Sequence, residues 1–197
     1  MAIRIDKEKK RKKIAIDAKK LILENGINNI TVSQIAKFVN IGKGTIYEYF
    51  LYKNEIVFKL IEILMKEHNE IKKEELSKLN TTKDKIKSFF SFFYNDSDNE
   101  LREIYKQFIS ISISNPNEDI SNFQTKILTS YKEWINKIIK DGIENKELKN
   151  ESIGIVNGLF FYVEGVFISS ITTNYIIDIK KEINNQINLL FKLLEVK

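Results

Sequence analysis

A chain of 197 residues, 43% hydrophobic and 30% charged, is able to bury a core of its own and is not a disordered tail. Cysteine is absent, which excludes a disulfide framework and thiolate chemistry and fits a reducing cytoplasm; the charged opening MAIRIDKEKKRKK lacks the apolar core and cleavage site of a secretory signal. The net charge of +5 is unevenly spread, with twelve Lys/Arg against five Asp/Glu in residues 1–53 and twenty against twenty-two in 54–197, so a basic head on a near-neutral body points to a polyanion partner.

One proline and seven glycines leave long helices with short connections, and the chain reads as all-α with about nine helices. The first helix spans about residues 6–24, with Ile14, Ala18, Leu21 and Ile22 on one face, and stops at Asn25-Gly26. Thr31 then N-caps a short helix to about Val39 that buries Val32, Ile35 and Ala36. Asn40, Ile41 and Gly42 form a tight turn, since Asn tolerates the left-handed region and Gly accepts it freely, and a third helix runs from Lys43 to Phe50. Helix, tight turn, helix is the result.

Later elements follow from apolar periodicity. A long helix covers about residues 53–79, and Thr81 or Thr82 caps the next, to Tyr94, with Ile86, Phe89, Phe90 and Phe93 at helical spacing. Another uses Leu101, Ile104, Tyr105 and Phe108, and Pro116 separates it from a helix over about 118–145. The alternating Ile-Ser run at 109–114 imitates a strand that would have no sheet to join. Residues 153–171 are apolar almost all round, and 176–194 repeats Ile176, Ile179, Ile183, Ile187, Leu190 and Leu194 at three and four spacing, a seam that wants a partner helix.

The segment ITVSQIAKFVNIGKGTIYEYFLYKNEI, residues 30–56, resembles the DNA-binding head of the tetracycline-repressor (TetR) family of bacterial regulators. The resemblance is carried by the Thr-capped helix with Ile35-Ala36, the Gly-Lys-Gly-Thr opening of the third helix, Tyr47, Tyr49-Phe50 and Lys53, and it covers about residues 12–60. It implies that Lys43, Gly44 and Thr45 enter the major groove of double-stranded DNA, Lys43 donating to guanine O6/N7, Thr45 meeting a thymine methyl or phosphate, and Gly44 letting the backbone come close. Thr31, Ser33, Tyr47, Tyr49 and Lys53 would hold phosphates. Position 40 is Asn where the family usually has Gly, and position 42 is Gly where a capping Ser is common; both suit the same backbone demands. The implied organisation is a DNA-binding domain at residues 1–52 and a ligand-binding and dimerisation domain at 53–197. The implied action is that of a homodimeric repressor on a palindromic site, released when a small apolar or amphipathic effector shifts the fourth helix.

Each sharp reading has a plainer neighbour. The run Lys7 to Lys13 is either a solvated face or a contact to the adjacent minor groove or backbone. Phe89, Phe93, Tyr105, Phe108, Tyr131, Trp134 and Phe161 are core residues or, in part, the lining of an effector cavity, with Asn157 and Glu164 as polar groups that orient the ligand or serve an interface. Gly158, Val166, Ile183, Ile187 and Leu190 are the expected dimer contacts, completing an intersubunit four-helix bundle. A membrane span over 153–171 is disfavoured by Glu164. His68 stands alone, so no metal and no cofactor are expected. An enzyme is disfavoured by the missing phosphate loop and acid-base pair, and a membrane-peripheral protein by the tight turn, which membrane attraction does not need.

Overall fold

The computed structural model describes residues 2–196, the side chains of 2–5, 156 and 157 excepted. The described residues are helical, with one isolated β-bridge. The helices are α1 (Ala2–Asn25), α2 (Val32–Phe38), α3 (Lys43–Tyr49), α4 (Lys53–Ser77), α5 (Thr82–Phe90), α6 (Asn99–Ser114), α7 (Glu118–Glu144), α8 (Val156–Thr172) and α9 (Ile179–Leu194). Short 3-10 turns at Ile27–Asn29, Ser91–Phe93, Asp96–Asp98 and Asn150–Ile155 join several of them. The Ile-Ser run at 109–114 lies within α6 and is helical throughout.

The contacts divide the chain into two compact units. The first joins Met1–Asn69 with Glu100–Phe123, and the second joins Glu70–Asn99 with Gln124–Lys197. The compact units cut across the division expected at 52/53. The reason is visible in the first unit, where Phe58 of α4 stacks on Phe123 of α7 with centroids 4.5 Å apart, and Phe108 of α6 meets both edge-on. Polar links join the same elements to the N-terminal helices. The Ile27 amide donates to Gln107 Oε1 at 3.1 Å, and the Lys19 ammonium lies 2.9 Å from Glu100. The Tyr52 hydroxyl donates to Asp119 at 2.7 Å, and this hydrogen bond, burial and the nearby carboxylates push its pKa up to about 12. Raised above its unfolded value, the phenol adds stability that is full below about pH 10 and is lost as pH climbs through about 12.

In the second unit α5, α8 and α9 pack around Ile86, Phe90, Val163, Phe167, Ile183 and Ile187, all buried. Apolar spacing on α9 therefore serves its own protomer: Ile183 and Ile187 are fully covered, and Val166 of α8 is buried too. These three expected dimer contacts are corrected to intramolecular core. A regular apolar seam records that something covers it, and here it is α5 and α8 of the same chain. The chain after α9 is fixed by the Leu148–Glu195 bridge, in which the Lys149 amide donates to Leu194 O at 2.9 Å and the Val196 amide to Glu147 O at 3.0 Å.

Gly142 of α7 lets α5 approach closely. A methyl group there would clash with Thr82 Oγ1 and stand 2.8 Å from its Cγ2, with Thr82 itself buried. Gly142→Ala gains about 1 kcal/mol of helix propensity but overpacks this contact by about 1–3 kcal/mol, so we expect a net loss in urea unfolding. Thr82→Ala in the same chain should recover part of it. A single variant as stable as wild type would show that the helices part without cost.

Candidate DNA-binding site

The head is assembled by α1, α2 and α3 around Ile14, Ala18, Ile22, Ile35, Ala36 and Ile46. Helix α1 ends at Asn25 because Gly26 takes φ 79°, and Asn40 takes φ 55° in the turn between α2 and α3, as the Asn-Ile-Gly sequence requires. Gly42 caps α3 without a side-chain bond, so α3 opens on Lys43, Gly44 and Thr45. Lys43 and Gly44 are exposed and Thr45 is half-buried; a Cβ at Gly44 would meet nothing within 4 Å, so another molecule has access to the backbone there. Tyr47 stands exposed one turn on, with the Lys43 ammonium 5.9 Å from its ring centroid, while Tyr49 is half-buried.

Two expected phosphate anchors have other work. Thr31 forms a capping box with Gln34: its hydroxyl accepts from the Gln34 amide at 3.2 Å and donates to Gln34 Oε1 at 2.9 Å, and the Thr31 amide donates to the same oxygen at 2.8 Å. The Thr-x-x-Gln spacing is the signal for this second half of the cap. Lys53 opens α4 as expected, yet its ammonium donates to the Ile27 carbonyl at 2.7 Å and to that of Asn28 at 3.4 Å, and burial lowers its pKa. Its assignment as a phosphate anchor is corrected to a clamp between α4 and the turn after α1, because the 3-10 turn presents its carbonyls where the side chain reaches. Ser33 remains exposed at the start of α2. Arg11 was not singled out by the sequence. Its guanidinium lies over the Phe50 ring, 4.4 Å from the centroid, and donates to the Tyr49 carbonyl, closing the C-terminal end of α3.

A family model described as bacterial regulatory proteins, tetR family, matches residues 17–60, which is the whole of α2, the turn and α3 with the flanking parts of α1 and α4. Over these residues the chain is similar to this family. It is a DNA-binding transcription regulator with an all-α fold. It is 28% identical over 134 residues to the fatty acid metabolism regulator protein of Bacillus subtilis, a match covering 67% of each chain. The TetR-family regulator from Cytophaga hutchinsonii superposes with a TM-score of 0.78 at 20% identity, covering 98% of both chains. The transcriptional regulator FadR from Bacillus subtilis, in complex with stearoyl-CoA, superposes with a TM-score of 0.63 at 24% identity, covering 91% of this chain and 96% of that one.

The residues expected to line an effector cavity do not come together as one group. Phe89 and Phe93 are buried in the second unit, where Phe89 meets Tyr131 and Trp134 edge-on at 5.9 and 5.3 Å. Tyr131 and Trp134 are half-buried and lie nearly parallel at 6.3 Å, with the Lys73 ammonium 5.8 Å from the indole. Tyr105 and Phe108 belong to the first unit. Phe108 is buried in the ring cluster with Phe58 and Phe123, which corrects it from pocket to core. Phe161 is 51% exposed and so is corrected from cavity lining to outer surface. Glu164 is half-buried and partnered, and the Asn157 side chain lies outside the described residues. His68 is half-buried with Nδ1 3.4 Å from Asn69 Oδ1.

Proposed function

We propose that the protein is a homodimeric, effector-released repressor that reads a palindromic operator through the first turn of α3. The observation that carries this is the exposed Lys43-Gly44 opening of that helix, next to a half-buried Thr45, on a basic head of the tetR family. Lys43 supplies a donor pair for guanine, Gly44 close backbone approach and Thr45 a methyl and hydroxyl, while Ser33, Tyr47 and Tyr49 supply hydroxyls to flanking phosphates. Two copies on a two-fold axis meet successive major grooves about 34–36 Å apart.

The dimer surface we assign to the outward faces of α8 and α9. Gly154 and, on α8, Gly158, Phe161 and Gly165 recur at four, three and four residues and stand exposed, and Leu189 and Leu193 are exposed on α9. Small residues let two backbones approach, and the apolar side chains supply burial. Asn150–Thr172 is long and apolar enough to cross a membrane by length and composition; a twin subunit covering this face accounts for the same apolarity. Leu190, half-buried, borders it.

The effector is an amphipathic molecule with a long apolar part, held by the second unit. The Phe89, Tyr131 and Trp134 group supports this, as do a relative that regulates fatty acid metabolism and a solved neighbour in complex with stearoyl-CoA. Release requires the effector to bind the conformation of low DNA affinity more tightly than the other, and α4 supplies residues to both units. Selection from a random duplex pool tests the reading. Enrichment of an inverted repeat, with retention reduced by long-chain acyl thioesters, is expected; a pool left random after repeated rounds would end it.

A further inference from the structure

Helix α1 begins long before the core of the head, since it starts at Ala2 while Ile14 is the first of its described side chains buried there. Read backwards from Ile14 at helical steps, the same stripe carries Arg11, Lys10 and Lys7. Arg11 lies over Phe50 at the end of α3, so Lys10 and Lys7 continue the stripe past that end. The neighbouring stripe is tied to α4 by Glu8 with Lys59 and by Lys12 with Glu67 at 3.9 Å. Among the described residues, Lys7, Lys9 and Lys10 have no carboxylate partner, whereas Lys13 is paired with Asp17. Lys7 and Lys9 thus stand exposed and Lys10 half-buried, all three without a carboxylate partner, on a helix held on two sides.

We infer that this extension of α1 is a second DNA-contacting surface that grips the phosphate backbone and reads no bases. The inference rests on the head docking through α3. A helix with its side chains is about 10–12 Å across and the minor groove about 6 Å wide, so the extension, being helical, does not enter that groove as an extended arm would. Of the two contacts open to the basic run, groove or backbone, helicity selects the backbone. Ammonium groups suit it, because a compact charge on a flexible stem needs no fixed angle to a phosphate. The bonds to α3 and α4 hold the helix in place, so less ordering remains to be done on binding.

The test uses the full chain carrying Lys7→Gln, Lys9→Gln and Lys10→Gln together, beside a second variant with Arg at the same three positions. Gln and Arg keep helix propensity close to that of Lys, and circular dichroism checks that α1 is intact. Affinity is titrated against salt on a duplex selected by wild type and on a shuffled duplex. With about 0.9 of slope per phosphate contact, three contacts make wild type lose about 40-fold more affinity than the Gln variant between about 50 and 200 mM salt. The loss should be equal on both duplexes, and the Arg variant should keep the wild-type slope. An unchanged slope in the Gln variant overturns the inference, as does a loss confined to the selected duplex, which would mean base reading. A wild type that holds no duplex overturns both readings together, whereas one that holds DNA with the slope of the Gln variant overturns this one alone.

Discussion

Phe108→Ala is expected to remove about 3–5 kcal/mol of stability, read as a lowered midpoint in urea unfolding. Phe108 is 1% exposed and meets Phe58 and Phe123 edge-on, with centroids 6.1 and 5.4 Å away. Truncation leaves a cavity among three helices and forfeits two ring contacts of about 0.5–1.5 kcal/mol each. Against a total of about 5–15 kcal/mol for a domain, that is a large share. The head belongs to the same compact unit, so DNA affinity should fall as temperature rises and hold at low temperature. Trp134→Ala is the internal comparison: the indole is half-buried, and its loss should cost less stability while changing the effector response. If Phe108→Ala left the midpoint where it was and altered only the effector response, the residue would line a cavity after all.

Lys43→Ala should weaken binding to the selected duplex by about 10- to 100-fold, which corresponds to about 1–3 kcal/mol for a donor pair on guanine. Shuffled duplex should be affected far less, so the ratio between the two, and not affinity alone, is the measurement. Lys43 is exposed at the first position of α3 and its removal frees no buried partner, so stability should be unaltered. Competition between the two duplexes at fixed salt reads the ratio directly. Equal losses on both would reassign Lys43 to a phosphate, and no loss on either would remove it from the interface.

Asn25-Gly26 and Asn40-Ile41-Gly42 were legible because they are local: left-handed backbone is open to few residues, and the chain must turn where they stand. The 3-10 turn at Ile27–Asn29 was not legible, and with it the partner of Lys53 was hidden, since a carbonyl 26 positions away is a tertiary fact. The alternating run at 109–114 imitates a strand only in its spacing, and helical hydrogen bonding carries it inside α6. Apolar periodicity located α9 but could not name what covers it, and Ile183 and Ile187 prove to be covered by their own chain. Aromatic spacing had the same limit, for Phe89, Phe108 and Phe161 all recur at helical intervals while one is part of the second unit's core, one of the first unit's, and one faces outward.

Trp134 is the sole tryptophan, and it stands in the second unit beside Tyr131 and below the Lys73 ammonium. The chain therefore carries a built-in fluorophore in the unit assigned to the effector, with none in the head to dilute its emission. Occupancy by an apolar molecule can be followed by the intensity and colour of that emission without a label, while DNA added alone reports only what crosses from one unit to the other.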